Sequence, residues 1–253
     1  MRRVLKITFL LVLGIVIGVL GYELILLYRV YRLQTHNPGT TSLIDTRVRE
    51  AQAKGEPVKR FQTWVPIERI SGNLQRAVLA GEDTNFTTHN GFDYEAIQKA
   101  WEQAQREAEK EAKNEGEDDS WIPNIPEFRR GASTVSQQLA KNLYLSSQRS
   151  FVRKGQEAII TVFLEKMLTK RRILEIYLNV IEWGDGIYGA EAAAQYYFKK
   201  SAASLTPSEA AYLSAMIPNP RTVFNPRVNP RRVARRQRII LRGMPYVRLP
   251  ATG

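Results

Sequence analysis

The hydrophobic positions of this chain follow two regimes. From Ile7 to Tyr28 (ITFLLVLGIVIGVLGYELILLY) every residue is apolar or glycine or tyrosine except Thr8 and Glu23. Beyond residue 60, apolar residues recur at helical spacing inside otherwise polar stretches. At 1.5 Å per residue the first run is about 33 Å long, enough for a bilayer core of roughly 30 Å. Glu23 falls near its far end, where a carboxylate reaches the interface. Arg2, Arg3 and Lys6 precede the run and Arg29 and Arg32 follow it, a weak bias toward an internal N-terminus. The run is long and no small-x-small site closes it, which favours a retained single-span anchor (7–28, after a cytoplasmic 1–6) over a cleaved signal peptide.

Residues 29–60 are polar and broken by Pro38, Gly39, Gly55 and Pro57, and read as a stalk or linker. A domain is expected over 61–243, with a tail at 244–253. Its helix signals are mostly caps followed by periodic apolar residues. Ser71 or Asn73 opens a helix carrying Leu74, Val78 and Leu79. Asp93 caps one running through Ala96, Ile97 and Trp101. Thr134 and Gln137 form a capping-box pattern, as do Thr206 and Glu209 around Pro207. Ile159, Ile160, Phe163, Met167 and Leu168 make a broad apolar face. The last helix lies between Asn229-Pro230 and Gly243 and contains six arginines. No long alternating strand and no repeat is present, so the fold is mainly α.

Charge changes this picture locally. The chain carries a formal +12, yet residues 102–119 hold eight acidic and three basic side chains, leaving +17 on the rest. That segment, with Trp121, Pro123 and Pro126 behind it, reads as an exposed, partly mobile acidic insert over 102–128. The basic excess points to an anionic partner: nucleic acid, anionic lipid or a phosphorylated substrate. With no cysteine and only His36 and His89, disulfides and thiolate or histidine-rich metal sites are excluded.

Two helices concentrate polar side chains. Gln137 and Lys141 lie four apart, as do Gln138 and Asn142, so each pair shares a face. Arg153 and Lys154 precede Glu157 by four and three residues. A surface ion-pair ladder accounts for that triple cheaply, but Arg before Glu is the weaker order and Gly155 costs about 1 kcal/mol in mid-helix. The alternative is a cationic cluster for phosphate with an ionised carboxylate beside it. Glu82 and Asp83, adjacent at an expected helix end in "GEDTNFTTHNGF", are either a solvated terminus or a catalytic pair. "GDGIYG" matches a dinucleotide fingerprint but follows a helix and lacks a βαβ setting. A DNA-reading helix at "STVSQQLAKNL" is argued against by the anchor, and no P-loop occurs. His89 alone reads more readily as a structural hydrogen-bonder than a ligand.

In order along the chain, these blocks resemble the peptidoglycan glycosyltransferases, glycosyltransferase family 51. "EDTNFTTHNG" is similar to the first signature, E-D-x-x-F-x-x-H-x-G. "GASTVSQQLAKN" is similar to the second and "RKGQE" to the third, R-K-x-x-E. "KRRILEIYLNVIEWGDGIYGAEAAAQYYF" and "AAYLSAMIPNPRTVFNP" follow as the fourth and fifth. No Ser-x-x-Lys or Lys-Thr-Gly appears, so the monofunctional type without a transpeptidase domain is expected.

The resemblance implies an α-rich, lysozyme-like lobe beside a smaller membrane-proximal lobe. It also implies a single-pass location in the cell inner membrane, with the catalytic domain on the periplasmic side. The implied substrates are lipid II and the growing lipid-linked glycan strand, joined with inversion and release of undecaprenyl pyrophosphate. Cell-wall synthesis or division proteins are further partners in such a reading, and nucleic acid is not. Glu82 matches the general base and Glu157 the second essential glutamate. Lys141, Arg149, Arg153 and Lys154 are the cations for the leaving pyrophosphate. Asp83, Phe86, His89, Thr134, Gln137, Gln138 and Asn142 complete the substrate-binding set, although capping explains Thr134 equally well. No cofactor is required, and a divalent cation is left open. A lytic or hydrolytic lysozyme-like enzyme and a membrane-tethered binder of anionic ligands, acting through the arginine helix, are the alternatives.

Overall fold

A computed structural model describes residues 2–115, 133–146 and 150–251. Ten α-helices and one three-stranded sheet are found among them, the mainly-α architecture expected. The apolar run forms one unbroken helix, α1 (Arg2–Arg32), long and apolar enough to cross a membrane. Its outer turns are exposed, but Leu26, Val30 and Leu33 at its end are buried. They pack on α6 (Phe151–Met167). Glu23 accepts a hydrogen bond from Gln156 Nε2 at 3.2 Å, and Arg172 Nε donates to the carbonyl of Leu33 at 2.8 Å.

The segment read as a linker is therefore not a free tether. It contains the end of α1 and a helix, α2 (Ser42–Ala53), capped by Thr41, whose side chain accepts from Ile44 N. α2 rests on α5 (Val135–Tyr144) through Ile44, which is fully buried. Burying one such side chain is worth about 2–3 kcal/mol. Arg47 ties α2 onward to Glu182 at 3.0 Å. A single buried position in twelve residues is too little periodicity to recognise in sequence.

α7 (Lys170–Val180) is the buried centre, with all seven residues from Ile173 to Val180 except Glu175 shielded. Asn179 is the polar hinge of this core. Its side chain bonds both Val65 N and Val65 O at 2.9 Å, and its carbonyl accepts from Gln62 at 2.9 Å. This fixes strand β1 (Phe61–Gln62) beside β3 (Ile187–Tyr188), which also pairs antiparallel with β2 (Glu182–Gly184). "GDGIYG" is thus a hairpin. Gly189, at φ 82°, leads from it into α8 (Ala190–Phe198), and an added Cβ there would lie 2.7 Å from the Asn179 carbonyl.

On the other side, α3 (Gly72–Glu82), α9 (Pro207–Met216) and α10 (Pro230–Gly243) pack together. Gly81 allows the approach: a Cβ there would sit 2.8 Å from Ser214 Oγ and 3.1 Å from Ile240. α4 (Tyr94–Glu115) is capped by Asp93, which accepts from Ala96 N at 2.9 Å. It continues to Glu115, past the point where apolar spacing stops. Alanine, glutamate, lysine and glutamine have enough intrinsic helix propensity to extend it. The remainder of the acidic insert lies outside the described residues.

Candidate active site

Between the two helical groups opens a cleft of about 530 Å³. Glu82, Gln138, Lys141, Asn142, Tyr177, Glu182, Arg221 and Arg236 are among its lining residues. Glu82 is the last residue of α3 and its side chain is only 8% exposed. Gln138 Nε2 donates to its Oε2 at 2.9 Å, and Tyr177 OH in turn donates to Gln138 Oε1 at 2.8 Å. Arg236 Nη2 reaches its Oε1 at 2.8 Å. Burial pushes the Glu82 carboxyl above the usual glutamate range. The opposing pull of Arg236, Gln138 and Lys141 is smaller. Glu82 sits at the C-terminus of α3 as expected, and desolvation is the largest cause of the shift.

Asp83 points elsewhere. Its Oδ1 lies 2.9 Å from His89 Nε2, and its Oδ2 accepts from Val135 N at 2.9 Å. Gly91 N donates to His89 Nδ1 at 3.1 Å, so the ring presents its Nε2–H to the carboxylate. Asp83 therefore joins the end of α3, the 84–91 turn and the first turn of α5. Phe86 is fully buried beneath this turn, with Lys170 Nζ 4.5 Å from its ring centre and His89 edge-on. Gly91, at φ 92°, packs so closely on α6 that a Cβ would lie 2.7 Å from Thr161. The first signature thus supplies one cleft carboxylate and a scaffold that aims it.

Thr134 and Gln137 close the expected capping box: Thr134 Oγ1 accepts from Gln137 N, and Gln137 Oε1 accepts from Thr134 N. Thr134 Oγ1 also donates to the Gly91 carbonyl at 2.7 Å. Both side chains are buried, and Gln137 is committed to the cap, whereas Gln138 on the adjoining face enters the cleft. A smaller recess of about 240 Å³, lined by Glu82, Asp83, Asn85, Asp93 and Thr134, adjoins the cleft at Glu82.

The second cluster lies on α6. Arg153 Nη1 is 2.8 Å from Glu157 Oε2, and Lys154 Nζ contacts Glu157 Oε1. Glu157 is 4% exposed, so this is not a solvated ladder. Among the described residues nothing lies within 4 Å of a Cβ at Gly155, and none of their contacts requires that glycine. Lys141 faces the open cleft and links the two clusters electrically. Its pKa is lowered, first by desolvation, then by Arg153 and Lys154, against opposing pulls from Glu157 and Glu82. Arg149 lies outside the described residues. Among the described residues, no group of three or more His, Asp or Glu side chains is arranged to hold a metal ion.

Arg236, Tyr177, Arg47, Glu182 and Arg221 line the cleft without having been singled out from the sequence. Tyr177 belongs to a helix whose spacing marks it as core. Arg236 is one of six arginines on α10, and nothing local distinguishes it from its neighbours. Their selection is tertiary: Gly81 lets α10 close on the end of α3, and Arg236 then bonds both the Gly81 carbonyl and Glu82.

The profile of the transglycosylase family matches residues 50–116 and 119–245, on either side of a break within the acidic run. A biosynthetic peptidoglycan transglycosylase of Thiobacillus denitrificans is 46% identical over 92% of this chain and 92% of its own. Proteins of the same description from Chromobacterium violaceum and Janthinobacterium sp. (strain Marseille) are 43% and 42% identical. They cover 97% and 99% of this chain and 99% and 100% of their own.

Proposed function

Because this chain belongs to the transglycosylase family and is a peptidoglycan glycosyltransferase, we propose that it polymerises lipid II at the cleft lined by Glu82 and Lys141. Inverting transfer releases undecaprenyl pyrophosphate. The observation that carries this reading is the position of Glu82: a buried carboxylate at a cleft wall, held by the Gln138 and Arg236 side chains and shifted toward higher pKa. The acceptor sugar's 4-hydroxyl is a poor nucleophile, and a carboxylate of raised pKa takes its proton as the bond to the donor's anomeric carbon forms. The proton goes to Glu82, and the electron pair of the breaking bond goes to the pyrophosphate.

The leaving group carries the developing negative charge. Lys141 at the cleft wall, with Arg153 and Lys154 on α6 coupled to it electrostatically, are the fixed cations that stabilise it, and Asn142 and Gln138 supply hydrogen bonds in the cleft. Glu157 holds Arg153 and Lys154 in place and sets negative charge on the donor side. Asp83, His89, Phe86, Thr134 and Gln137 act as scaffold, aiming Glu82 without touching substrate. The arginine helix is part of this site through Arg236, which supports an enzyme over a separate anionic-ligand binder.

α1 anchors the enzyme in the inner membrane, and the catalytic domain works on the outer side of that bilayer, where lipid-linked substrate is delivered. Detergent-purified protein incubated with labelled lipid II should give long, muramidase-sensitive strands, and Glu82→Gln should give none while still binding lipid II. Cleavage of preformed strands without polymer would instead mark a lytic enzyme.

A further inference from the structure

Among the described residues, five of the six arginines on α10 have no side-chain partner, Arg236 being the exception. Four of these, Arg231, Arg235, Arg238 and Arg242, are exposed along one face, and no hydrogen bond or ion pair from the described residues engages their side chains. Spaced at i, i+4, i+7 and i+11, they fall within an arc of about 60° at 3.6 residues per turn and extend over roughly 16 Å of helix. The opposite face of the helix carries the buried Val233 and Ile240. By contrast, Arg47, Arg153, Arg171, Arg172, Arg221 and Arg236 all pair with carboxylates.

Helix stability does not account for this ridge. Like charges four apart repel, and Arg231 sits in the first helical turn, where the macrodipole disfavours a cation. Arginine is also the residue whose forked donors match carboxylates and phosphates alike, so the position of the ridge decides between those ligands. On the wheel, Arg232 lies between the ridge and Arg236, so guanidinium groups run without a break from the cleft wall to the outer face. The anchor packs on α6, whereas α10 packs on α3 and α9. The ridge therefore belongs to the helical group across the cleft from the anchor, which favours a polymer leaving the cleft over a bilayer surface.

We infer that the Arg231–Arg235–Arg238–Arg242 ridge docks the enzyme's own product, a glycan strand whose peptide branches carry carboxylates. The inference rests on the polymerase reading for the identity of that strand. Bound along the ridge, the lengthened strand stays near the cleft between transfers, so the ridge governs strand length and not the chemical step.

The test uses full-length, detergent-solubilised protein and labelled glycan strands, either bearing peptides or stripped of them by an amidase. A fourfold Arg→Gln variant at these positions should bind peptide-bearing strands about tenfold more weakly than wild type, as expected for the loss of several exposed charge contacts. Wild type should bind stripped strands as weakly as the variant binds intact ones, and added salt should remove the difference. The fourfold Arg→Lys variant keeps charge and helix and should retain most of the binding, which separates charge loss from misfolding. With lipid II, the glutamine variant should start at the wild-type rate and make shorter strands. Equal binding by wild type and glutamine variant, ridge-dependent binding to phosphatidylglycerol vesicles but not to strands, or unchanged strand length would each overturn the inference. Strand binding is read without turnover, so a wild type that made no polymer would sink the polymerase reading while the docking result stood separately.

Discussion

Arg236 Nη2 lies 2.8 Å from both Glu82 Oε1 and the carbonyl of Gly81, so one guanidinium group grips the last turn of α3 by side chain and backbone. The Phe224 ring flanks the guanidinium, its centre 5.5 Å from Arg236 Cζ. The contact has two opposing effects. It orients the carboxylate that faces the cleft, and it favours the ionised form of a group that burial drives the other way.

The pH dependence follows from that opposition. A base must be deprotonated to act, and Glu82 has its folded-state pKa raised by burial. The acidic limb of the kcat/KM profile should therefore lie above the ordinary glutamate range. Arg236→Gln removes a charge that lowers this pKa, so the limb should move to higher pH. The stability sign is the reverse of a salt-bridged carboxylate. A group with a raised folded pKa contributes stability at pH below its unfolded pKa and loses it as pH rises through the folded pKa. Wild type should accordingly gain stability from this group as pH falls from neutral, and Glu82→Gln should not show that gain. Rate profiles and thermal melts over the same pH series measure both; an unmoved limb in Arg236→Gln would remove Arg236 from the electrostatics of the base.

Asp83 and Glu82 should separate cleanly. Asp83→Ala strands the buried Val135 N–H and releases His89, which should destabilise the fold by about 2–3 kcal/mol. Glu82→Gln removes the proposed base and leaves the scaffold intact, so melts should stay near wild type while turnover disappears. If Asp83→Ala melted like wild type but abolished turnover, Asp83 would belong to the chemistry and not to the scaffold.

Tyr177 supports the proposed base, Glu82, at one remove. Tyr177→Phe deletes the hydroxyl that holds Gln138 Oε1 and leaves Gln138 free to turn away from Glu82. A stability loss of about 1 kcal/mol is expected, with a fall in kcat and little change in KM, since no substrate contact is removed. Steady-state kinetics on lipid II distinguish this from a binding role, in which KM would carry the effect.

Much of this framework was legible in sequence because it is local. Ser71, Asp93, Thr134 with Gln137, and Thr206 with Glu209 cap their helices through hydrogen bonds that span three residues. Such signals survive without knowledge of the fold. Glu82 and the Arg153–Lys154–Glu157 triple stood out because their charge pattern conflicts with simple helix stability. Arg236 and Tyr177 did not, since each has an ordinary explanation on its own helix and its partner lies far along the chain. α2 was missed for a related reason: its place is set by one buried isoleucine and by Arg47 reaching Glu182.

The junction between anchor and lobe carries the remaining prediction. Leu26, Val30 and Leu33 bury against the lobe, and Glu23 meets Gln156, the residue before Glu157. α1 therefore covers one side of the helix that holds the cationic cluster. Val30→Asp would place a charge in that contact, where the residue is fully buried, and should detach α1 from α6 without unfolding the lobe. α6 amides should then exchange hydrogen faster, and KM for lipid II should rise more than kcat falls, because Arg153 and Lys154 lose their fixed placement. Leu11→Ala, in the exposed part of α1, should change neither. Matching exchange in wild type and Val30→Asp would show that α1 serves only as a tether.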